Sequence, residues 1–293
     1  MDTENIKNIV AIILTIVFTL CVAVIVSINS VYSQIPIIFS CAILAFIIQW
    51  IAFVPAFFLQ TEHFYDLVGS ITYISILTFL IFSVDNLDAR GLILCSLIGI
   101  WTIRLGTFLY RRIREDGYDR RLIKLKSKAT SFLVAWTTQG CWVFLTMIAA
   151  ITAITSGTKI AMGATGFIGI LIWLIGFYIE TIADNQKRRF RDNPENSGKF
   201  IKSGLWEWSR HPNYFGEILL WTGIAIIALP ALNSWQLAAL ISPIFVYLLL
   251  TKLSGIPMLE RSALERWGEN HEYQIYLANT PTLFPKRPSR KNS

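Results

Sequence analysis

The segment "QTEHFYDLVGS" (residues 60–70) gathers ionisable side chains at the junction of two apolar runs. Ionisable groups near hydrocarbon are costly, so they mark places where a chain holds a ligand or moves a proton. Glu62 and Asp66 are four residues apart and share one helical face if the helix has already begun. Gly69 would allow a neighbouring helix or a ligand to approach closely. His63 alone favours a polar turn facing water, whereas Glu62 and Asp66 indicate function.

A second cluster, "GLWEWSRHPNYFGE" (204–217), stands at the head of another apolar run. Pro212 suits the first turn of a helix, and it pushes the preceding His211 out of helical geometry. The first N–H groups, from Asn213 onward, would then point at the same zone as Arg210 and His211. Such an arrangement predicts an anion site. Glu217 lies one turn further in, where a carboxylate needs a donor nearby.

Two further features place charge inside apolar runs. Arg104 lies deeper in its run than the neighbouring Arg111 and Arg112, so it requires a carboxylate or an anionic ligand, and Glu217 is one candidate partner. The segment "GFYIETIADNQKRRFRD" carries polar residues every three or four positions, which predicts a polar stripe where a helix leaves the membrane. The stripe contains Glu180, Asp184, Lys187 or Arg188, and Arg191. Charge pairing at a solvated helix end would explain Lys187 and Arg189 but not the two deeper carboxylates.

Composition shows what kind of element must position these groups. The chain has 293 residues, of which 54% are hydrophobic and 15% charged, and its mean hydropathy of +0.53 is typical of a membrane protein. Runs of about 20 apolar residues, each able to cross about 30 Å of hydrocarbon, recur along the sequence. We predict an all-α polytopic fold of about eight spans: 6–28, 37–59, 64–84, 90–110, 132–154, 163–184, 214–230 and 234–252.

Lysine and arginine placement predicts the topology. The segments 110–128 and 184–210 and the tail "PKRPSRKNS" are basic, whereas the turn "SVDNLDA" is acidic. Eight spans put the three basic segments on one side, which the positive-inside rule makes the cytosol. The first run differs from a signal peptide because its leading segment is not basic and no cleavage site follows, so we keep it as a span. Trp206 and Trp208 are typical of interfacial anchors.

Several other classes are excluded or disfavoured. The net charge of +7 is explained by topology, so we expect no nucleic-acid partner. Four scattered cysteines in apolar runs predict neither disulfides nor a zinc site, and we expect no metal. The segment 254–285 has helical apolar spacing with Glu260 among its charges, which predicts a helix on the cytosolic surface that caps the site or simply lies on the membrane.

Together these residues suit a polyanionic cofactor bound beside a lipophilic substrate, with access from the cytosol. A nicotinamide cofactor with its pyrophosphate fits that description. The chain contains neither GxGxxG after a strand nor GxxxxGK[ST], so the membrane helices themselves would have to bind the nucleotide.

The motifs taken together resemble the steroid 5-alpha-reductase superfamily, in particular its bacterial-type branch of uncharacterised membrane proteins. They are "GLWEWSRHPNYFGEILLWTG", "ETIADNQKRRF", "YDLVGS", "RRIREDGYDRR" and the ending "SGIPMLE…TPTLFP". The resemblance covers nearly everything from about residue 60 onward. It implies one integral membrane domain over 1–293, with N-terminal spans in 1–59 and a reductase-like core in 60–293.

The resemblance also implies an activity and a set of site residues. NADPH would enter between helices from the cytosolic side and deliver hydride to the double bond of an enone in a sterol-like or isoprenoid lipid. Asp184, Arg188 and Arg191 match cofactor contacts, Asn213 and Glu217 match a nicotinamide-side polar pair, and Arg104 matches a phosphate-side or structural arginine. We expect the cofactor set to be Arg104, Asp184, Arg188, Arg191, Arg210, His211, Asn213, Tyr214, Glu217 and Glu260.

The predicted catalytic set is Glu62, Tyr65 and Asp66. Enone reduction needs hydride at the β-carbon, a donor to the carbonyl oxygen and a proton at the α-carbon. Either Glu62, protonated through burial, or Tyr65 would donate to the oxygen, while Asp66 orients the pair or holds the nicotinamide ribose. Steroid-reducing members have a tyrosine where this chain has Trp101, so a 3-oxosteroid substrate does not follow from the resemblance.

Two other functions remain open from the sequence. "RHPNYFGE" alone also resembles isoprenylcysteine carboxyl methyltransferases and phospholipid N-methyltransferases, in which S-adenosylmethionine would be the cofactor and Glu260 would suit its cation. A transporter or lipid-binding protein using the same polar cavity is the third possibility, although we find no internal repeat. All three functions predict a lipophilic small-molecule substrate or a membrane lipid as partner.

Overall fold

The computed structural model describes residues 3–28, 34–119 and 122–288. The chain is 79% helical, and no strand occurs in those three ranges. Eight helical stretches are long and apolar enough to cross a membrane, as the apolar runs predicted. Arg120 and Arg121 of the basic loop and residues 289–293 of the basic tail lie outside the described residues.

The first compact unit comprises Met1–Gly166 and Ile227–Ser242. It contains α1 (Thr3–Ser27), α2 (Gln34–Phe58), α3 (Tyr65–Ser83), α4 (Ala89–Asp116) and α5 (Ala129–Thr155). Helix α5 packs against each of the other four and is buried over most of its length. Its polar residues therefore need partners inside the protein: Thr146 bonds the Tyr73 hydroxyl at 2.6 Å, and Thr137 accepts from the Trp50 indole at 3.1 Å.

The ends of these helices follow their sequence signals. The Asp88 side chain caps α4 by accepting from the Gly91 N–H at 2.8 Å. Gly117 ends the same helix with a φ of 76°, a conformation in which glycine has no steric penalty. Helix α3 begins only at Tyr65, one residue later than predicted.

The second compact unit comprises Phe167–Ile226 and Pro243–Ser293. It contains most of α6 (Ala164–Asp192) and of α7 (Pro212–Ala228), which begins at the proline that predicted it. The 3-10 stretch over Ser234–Leu240 and the start of α8 (Ile241–Leu248) belong to the first unit. The rest of α8, a π-helical turn over Leu249–Leu253, α9 (Gly255–Trp267) and α10 (His271–Asn279) belong to the second. The single surface helix expected over 254–285 is therefore wrong: Asn270 caps a second helix by accepting from the Glu272 N–H.

Glycines hold α6 and α7 in close contact. A Cβ added to Gly216 would lie 2.6 Å from the Glu180 N–H nitrogen and from the Gly176 carbonyl oxygen. One added to Gly176 would lie 2.5 Å from the Leu220 nitrogen, so the two helices touch backbone to backbone here. This contact sets the separation of the polar residues at the adjoining ends of α6 and α7.

All four cysteines lie in the described residues and are free, and Cys41, Cys95 and Cys141 are buried. Cys21 instead lies exposed on α1. The proposal of one membrane domain with a core beginning at residue 60 stays a prediction.

Candidate functional site

The first polar cluster centres on Glu62, whose side chain is fully buried in the first unit. Its Oε2 accepts from the Lys126 ammonium at 2.6 Å, and its Oε1 accepts from the Asp119 N–H at 3.2 Å. Because α3 begins at Tyr65, Glu62 precedes the helix and does not share a helical face with Asp66. In both contacts Glu62 is the acceptor, and its expected role as a hydrogen-bond donor stays a prediction.

The other two predicted catalytic residues also have protein partners. The Asp66 carboxylate lies 3.2 Å from the Arg112 guanidinium. The Tyr65 hydroxyl donates to the Ala135 carbonyl at 2.9 Å. Gln139 donates to the Tyr65 carbonyl at 3.1 Å, which anchors this turn to α5.

Lys126 and Gln139 were not among the residues that the sequence indicated. Lys126 lies 64 positions from Glu62 in a loop whose basic residues are explained by topology, so no local signal pointed to it. Gln139 could have been noticed in the sequence because it is a lone amide side chain within an apolar run. A Cβ on Gly69 would lie 2.4 Å from the Gln139 amide nitrogen, so this glycine allows the close approach that the sequence predicted.

Arg104 lies midway along α4 and is half-buried, with its guanidinium carbon 5.5 Å from the Phe108 ring centroid. A carboxylate or anionic partner for Arg104 stays a prediction. One turn earlier, Trp101 is fully buried and packs edge-on against Tyr73, with their ring centroids 5.3 Å apart. Trp101 is thus part of the packed interior.

The second polar cluster lies in the second unit, where α6 and α7 meet. The buried Asp184 carboxylate accepts from the Asn213 amide at 3.2 Å. Glu217, one turn into α7, and Glu180, one turn back along α6, are also buried. The glycine contact between the helices brings the predicted stripe of α6 beside the first turn of α7.

Glu260 on α9 holds both basic residues of the segment before α7. Its Oε2 lies 2.6 Å from the Arg210 guanidinium, and its Oε1 lies 2.7 Å from His211 Nε2. Arg210 also donates to the Thr282 hydroxyl at 2.5 Å, and the His211 ring stacks on Tyr214 with a 13° angle between the planes. Arg210, His211, Tyr214 and Glu260 therefore form one connected group.

The chain end completes this group through backbone bonds. The Arg210 N–H donates to the Pro281 carbonyl at 2.9 Å, and the Lys286 N–H donates to the Trp208 carbonyl at 3.0 Å. The Ser209 hydroxyl donates to the Leu283 carbonyl at 2.8 Å. The "TPTLFP" ending thus lies along the "WSRH" segment, which explains why the two motifs occur together.

Burial lowers the pKa of His211 below its ordinary value, although the Glu260 carboxylate beside it acts in the opposite direction. A neutral imidazole that donates from Nε2 to Glu260 has an acceptor at Nδ1. Among the described residues no partner reaches Nδ1, which is buried. His211 therefore has the capacity to accept one hydrogen bond from a bound molecule.

The remaining candidates lie toward the end of α6. Arg188 Nε is 3.7 Å from the Asp192 carboxylate, and Arg191 is exposed. Trp206 is buried and donates to the Ala183 carbonyl at 3.0 Å, so the expectation of an interfacial anchor is wrong for it, whereas Trp208 is exposed. In the described part of the chain, no group of three or more His, Cys, Asp or Glu residues could hold a metal ion.

A family model described as "Protein of unknown function (DUF1295)" matches residues 52–280. An uncharacterized protein of Schizosaccharomyces pombe is 23% identical over 235 residues, which cover 69% of this chain and 65% of that protein. The 3-oxo-5-alpha-steroid 4-dehydrogenase 1 of Mus musculus is 34% identical over 77 residues, 26% of this chain and 28% of the mouse protein.

The probable O-methyltransferase ustE of Ustilaginoidea virens is 36% identical over 63 residues, 22% of this chain and 21% of that protein. The matched regions span less than two thirds of the length of each of these relatives. No solved structure matches the chain significantly.

Proposed function

The chain belongs to the DUF1295 family of the steroid 5-alpha-reductase superfamily, and from this premise we propose that it is an NADPH-dependent membrane oxidoreductase. Its substrate would be a sterol-like or isoprenoid lipid in which a carbon–carbon double bond is conjugated to a carbonyl group. The cofactor would enter from the cytosol. Beyond family membership, the cofactor, the substrate class and the side of entry are proposals.

The observation that carries the proposal is the set of groups around the start of α7. Arg188 and Arg191 offer positive charge for phosphates, and Asp184 with Asn213 offers a carboxylate and an amide for ribose hydroxyls or a carboxamide. His211 adds one buried acceptor. The chemistry of these donors and acceptors fits a phosphorylated dinucleotide. The Arg210–Glu260 ion pair holds in place the segment that carries His211 and Tyr214.

The pairing of Glu260 bears on the competing cofactor. A sulfonium such as S-adenosylmethionine would need a carboxylate as counter-ion, and Glu260 was the sequence candidate for that role. Each Glu260 oxygen instead accepts from a basic side chain within 2.7 Å. The match to an O-methyltransferase favours the alternative, an S-adenosylmethionine-dependent methyltransferase, so the experiment below includes that ligand.

We assign proton delivery to Glu62 and Lys126. Reduced nicotinamide, when bound, supplies the hydride that adds to the β-carbon. Lys126 is about a quarter exposed and can exchange protons with water, whereas its partner Glu62 is fully buried. The pair would pass a proton inward to the α-carbon side. Tyr65 would donate to the carbonyl oxygen by exchanging its bond to Ala135, and Asp66 holds Arg112 beside it.

The first experiment is isothermal titration of the detergent-purified protein with NADPH, NADH and S-adenosylmethionine. We expect micromolar NADPH binding that is weakened at least about tenfold when Asp184→Ala and Asn213→Ala are combined, because the buried pair is lost. Asn185→Ala is the matched control, since Asn185 is exposed on the same helix. Binding of S-adenosylmethionine without any response to NADPH would move the chain to the methyltransferases.

The second experiment measures NADPH oxidation against a panel of enone lipids. We expect both Glu62→Gln and Glu62→Ala to lose most turnover, because neither side chain can accept a proton from Lys126 and pass it on. Lys126→Gln should reduce turnover while leaving NADPH affinity unchanged. Wild-type turnover in both Glu62 variants would remove Glu62 from the mechanism.

A further inference from the structure

One face of α6 stays exposed along the whole helix. Its exposed positions follow a three-and-four spacing, which is a single helical face. In the first half these residues are apolar: Ile168, Leu171, Ile175 and Tyr178 are exposed by 52%, 58%, 45% and 67%. In the second half they are polar, with Asn185 and Arg189 exposed. An apolar stripe therefore leads along one face to a cationic end.

The change in polarity occurs at the depth of a lipid headgroup. About 20 residues of α6, counted from Ala164, cross about 30 Å of hydrocarbon and end near residue 184. Arg189 lies five residues further, which adds about 7 Å and reaches the headgroup layer. Arg189 lies at this depth whichever side of the membrane the end of α6 occupies.

A pocket opens beside Arg189. It has a volume of about 270 Å³, and its lining includes the apolar Phe190 and the polar residues Gln186, Arg189, Asn193, Asn196 and Ser203. Within the described residues, the Arg189 guanidinium and the Ser203 hydroxyl have no hydrogen bond or ion pair with another side chain. Of the nearby cations, Arg188 lies on the opposite face of α6 with the proposed cofactor residues, and Lys202 pairs with Glu272. A cation and a hydroxyl are thus left to face the pocket.

This pocket is separate from the proposed cofactor residues. Gln186, Arg189 and Phe190 follow one face of α6 and Asn193 comes directly after the helix, whereas Asp184 and Arg188 follow another face. A displacement of two residues rotates the direction of a side chain by about 200°, so the two sets point to opposite sides of the helix.

We propose that this pocket binds the phosphate of an anionic phospholipid, with the acyl chains lying along the apolar stripe of α6. Arg189 pairs with the phosphate, and Ser203 and the amides of Asn193 and Gln186 contact the polar part of the headgroup. The stripe distinguishes a lipid from free phosphate, because only an occupant with an apolar tail gains from the exposed apolar residues on the same face of α6 as Arg189. Six Lys and Arg residues against two acidic ones between 187 and 202 favour a lipid with net negative charge.

The test is native mass spectrometry of the full-length protein in detergent, mixed with equal amounts of phosphatidylglycerol and phosphatidylcholine. We expect phosphatidylglycerol to be retained and Arg189→Gln to reduce its retention about fivefold, to the level of phosphatidylcholine. Ser203→Phe should have a similar effect, because it fills the pocket without changing the charge. Arg261→Gln, which removes an exposed cation of α9, should leave retention unchanged.

Each alternative outcome overturns the proposal. Equal retention of the two lipids by the wild type would exclude a headgroup preference, and an equal loss in Arg189→Gln and Arg261→Gln would indicate diffuse charge attraction. Displacement of the lipid by millimolar inorganic phosphate would identify a site for free anions instead. Unfolding midpoints of all variants identify any that fail to fold, and the two pocket variants test the site independently.

Discussion

Single carboxylates organise both polar clusters of this protein. Glu62 holds Lys126 and the Asp119 backbone in the first unit, and Glu260 holds Arg210 and His211 in the second. Removing either partner of a buried charged pair leaves the other charge without compensation. We therefore attribute to Glu260 the positioning of His211, whose other ring nitrogen is the group left for a ligand.

His211 should make stability depend on pH. Burial lowers its pKa in the folded protein, so between that pKa and about 6.5 the unfolded chain binds more protons than the folded one. Stability is then complete above about pH 6.5 and falls as the pH decreases. We expect the unfolding midpoint to drop between about pH 7.5 and 5.5, and His211→Gln to reduce that drop.

Thermal unfolding across this pH range checks the prediction. His271→Gln is the control, because His271 is exposed at the start of α10, and it should keep the wild-type dependence. An equal pH dependence in His211→Gln and the wild type would contradict the assignment.

Arg90 is a buried cation whose hydrogen bonds all go to backbone carbonyls, those of Ile227, Ile160 and Ala161. Ile227 lies in the last turn of α7, where carbonyls carry partial negative charge. We expect Arg90→Met to lower the free energy of unfolding by about 2 to 4 kcal/mol, because three carbonyls lose their charged donor. Urea titration in detergent measures this effect. Arg111→Met, at an exposed position of the same helix, should change stability little.

At the scale of the elements, the spacing of α6 and α7 determines the geometry of the second cluster. The glycine contact brings Asp184 within hydrogen-bonding distance of Asn213, although neither residue belongs to the contact itself. Any side chain inserted between the helices must move one of them. The geometry of this cluster therefore depends on small residues that have no polar side chain.

Gly216→Ala tests that dependence. Its Cβ would lie 2.6 Å from two backbone atoms of α6, so the helices must separate, and we expect a loss of about 1 to 3 kcal/mol in stability. NADPH affinity should fall with it, because Asn213 moves away from Asp184. Gly163→Ala is the control, since no atom lies within 4 Å of its added Cβ. Unchanged NADPH affinity in a destabilised Gly216→Ala protein would separate the helix contact from the binding site.

At the scale of the whole molecule, eight spans constrain which loops share a side of the membrane. The turn after α3 and the loop after α4 are separated by one span, so they must face opposite compartments. The basic residues of the loop after α4 predict that it faces the cytosol.

Cysteine labelling tests this orientation in a protein whose four native cysteines are replaced. Asp85→Cys and Ser127→Cys are both exposed positions. We expect an impermeant maleimide to label Ser127→Cys from the cytosolic side only and Asp85→Cys from the other side only. Labelling of both positions from the same side would exclude α4 as a span.

The spans, their order and the start of α7 at Pro212 were predictable from the sequence. An apolar run of about 20 residues can satisfy its backbone in hydrocarbon only as a helix, and the signals that begin and end helices are local. Most polar residues of the candidate site stood out in the sequence for the same reason, because charge inside an apolar run is conspicuous, whereas Lys126 in a basic loop did not.

Only the tertiary structure determined which of these groups pair. Lys126 meets Glu62 across 64 positions, Glu260 meets His211 across 49, and Arg90 meets the Ile227 carbonyl across 137. Such pairs depend on how helices pack and turn about their axes, which is set by many small contacts along whole helices. Local pattern therefore predicted the chemistry available to this protein, and helix packing determined which side chains act together.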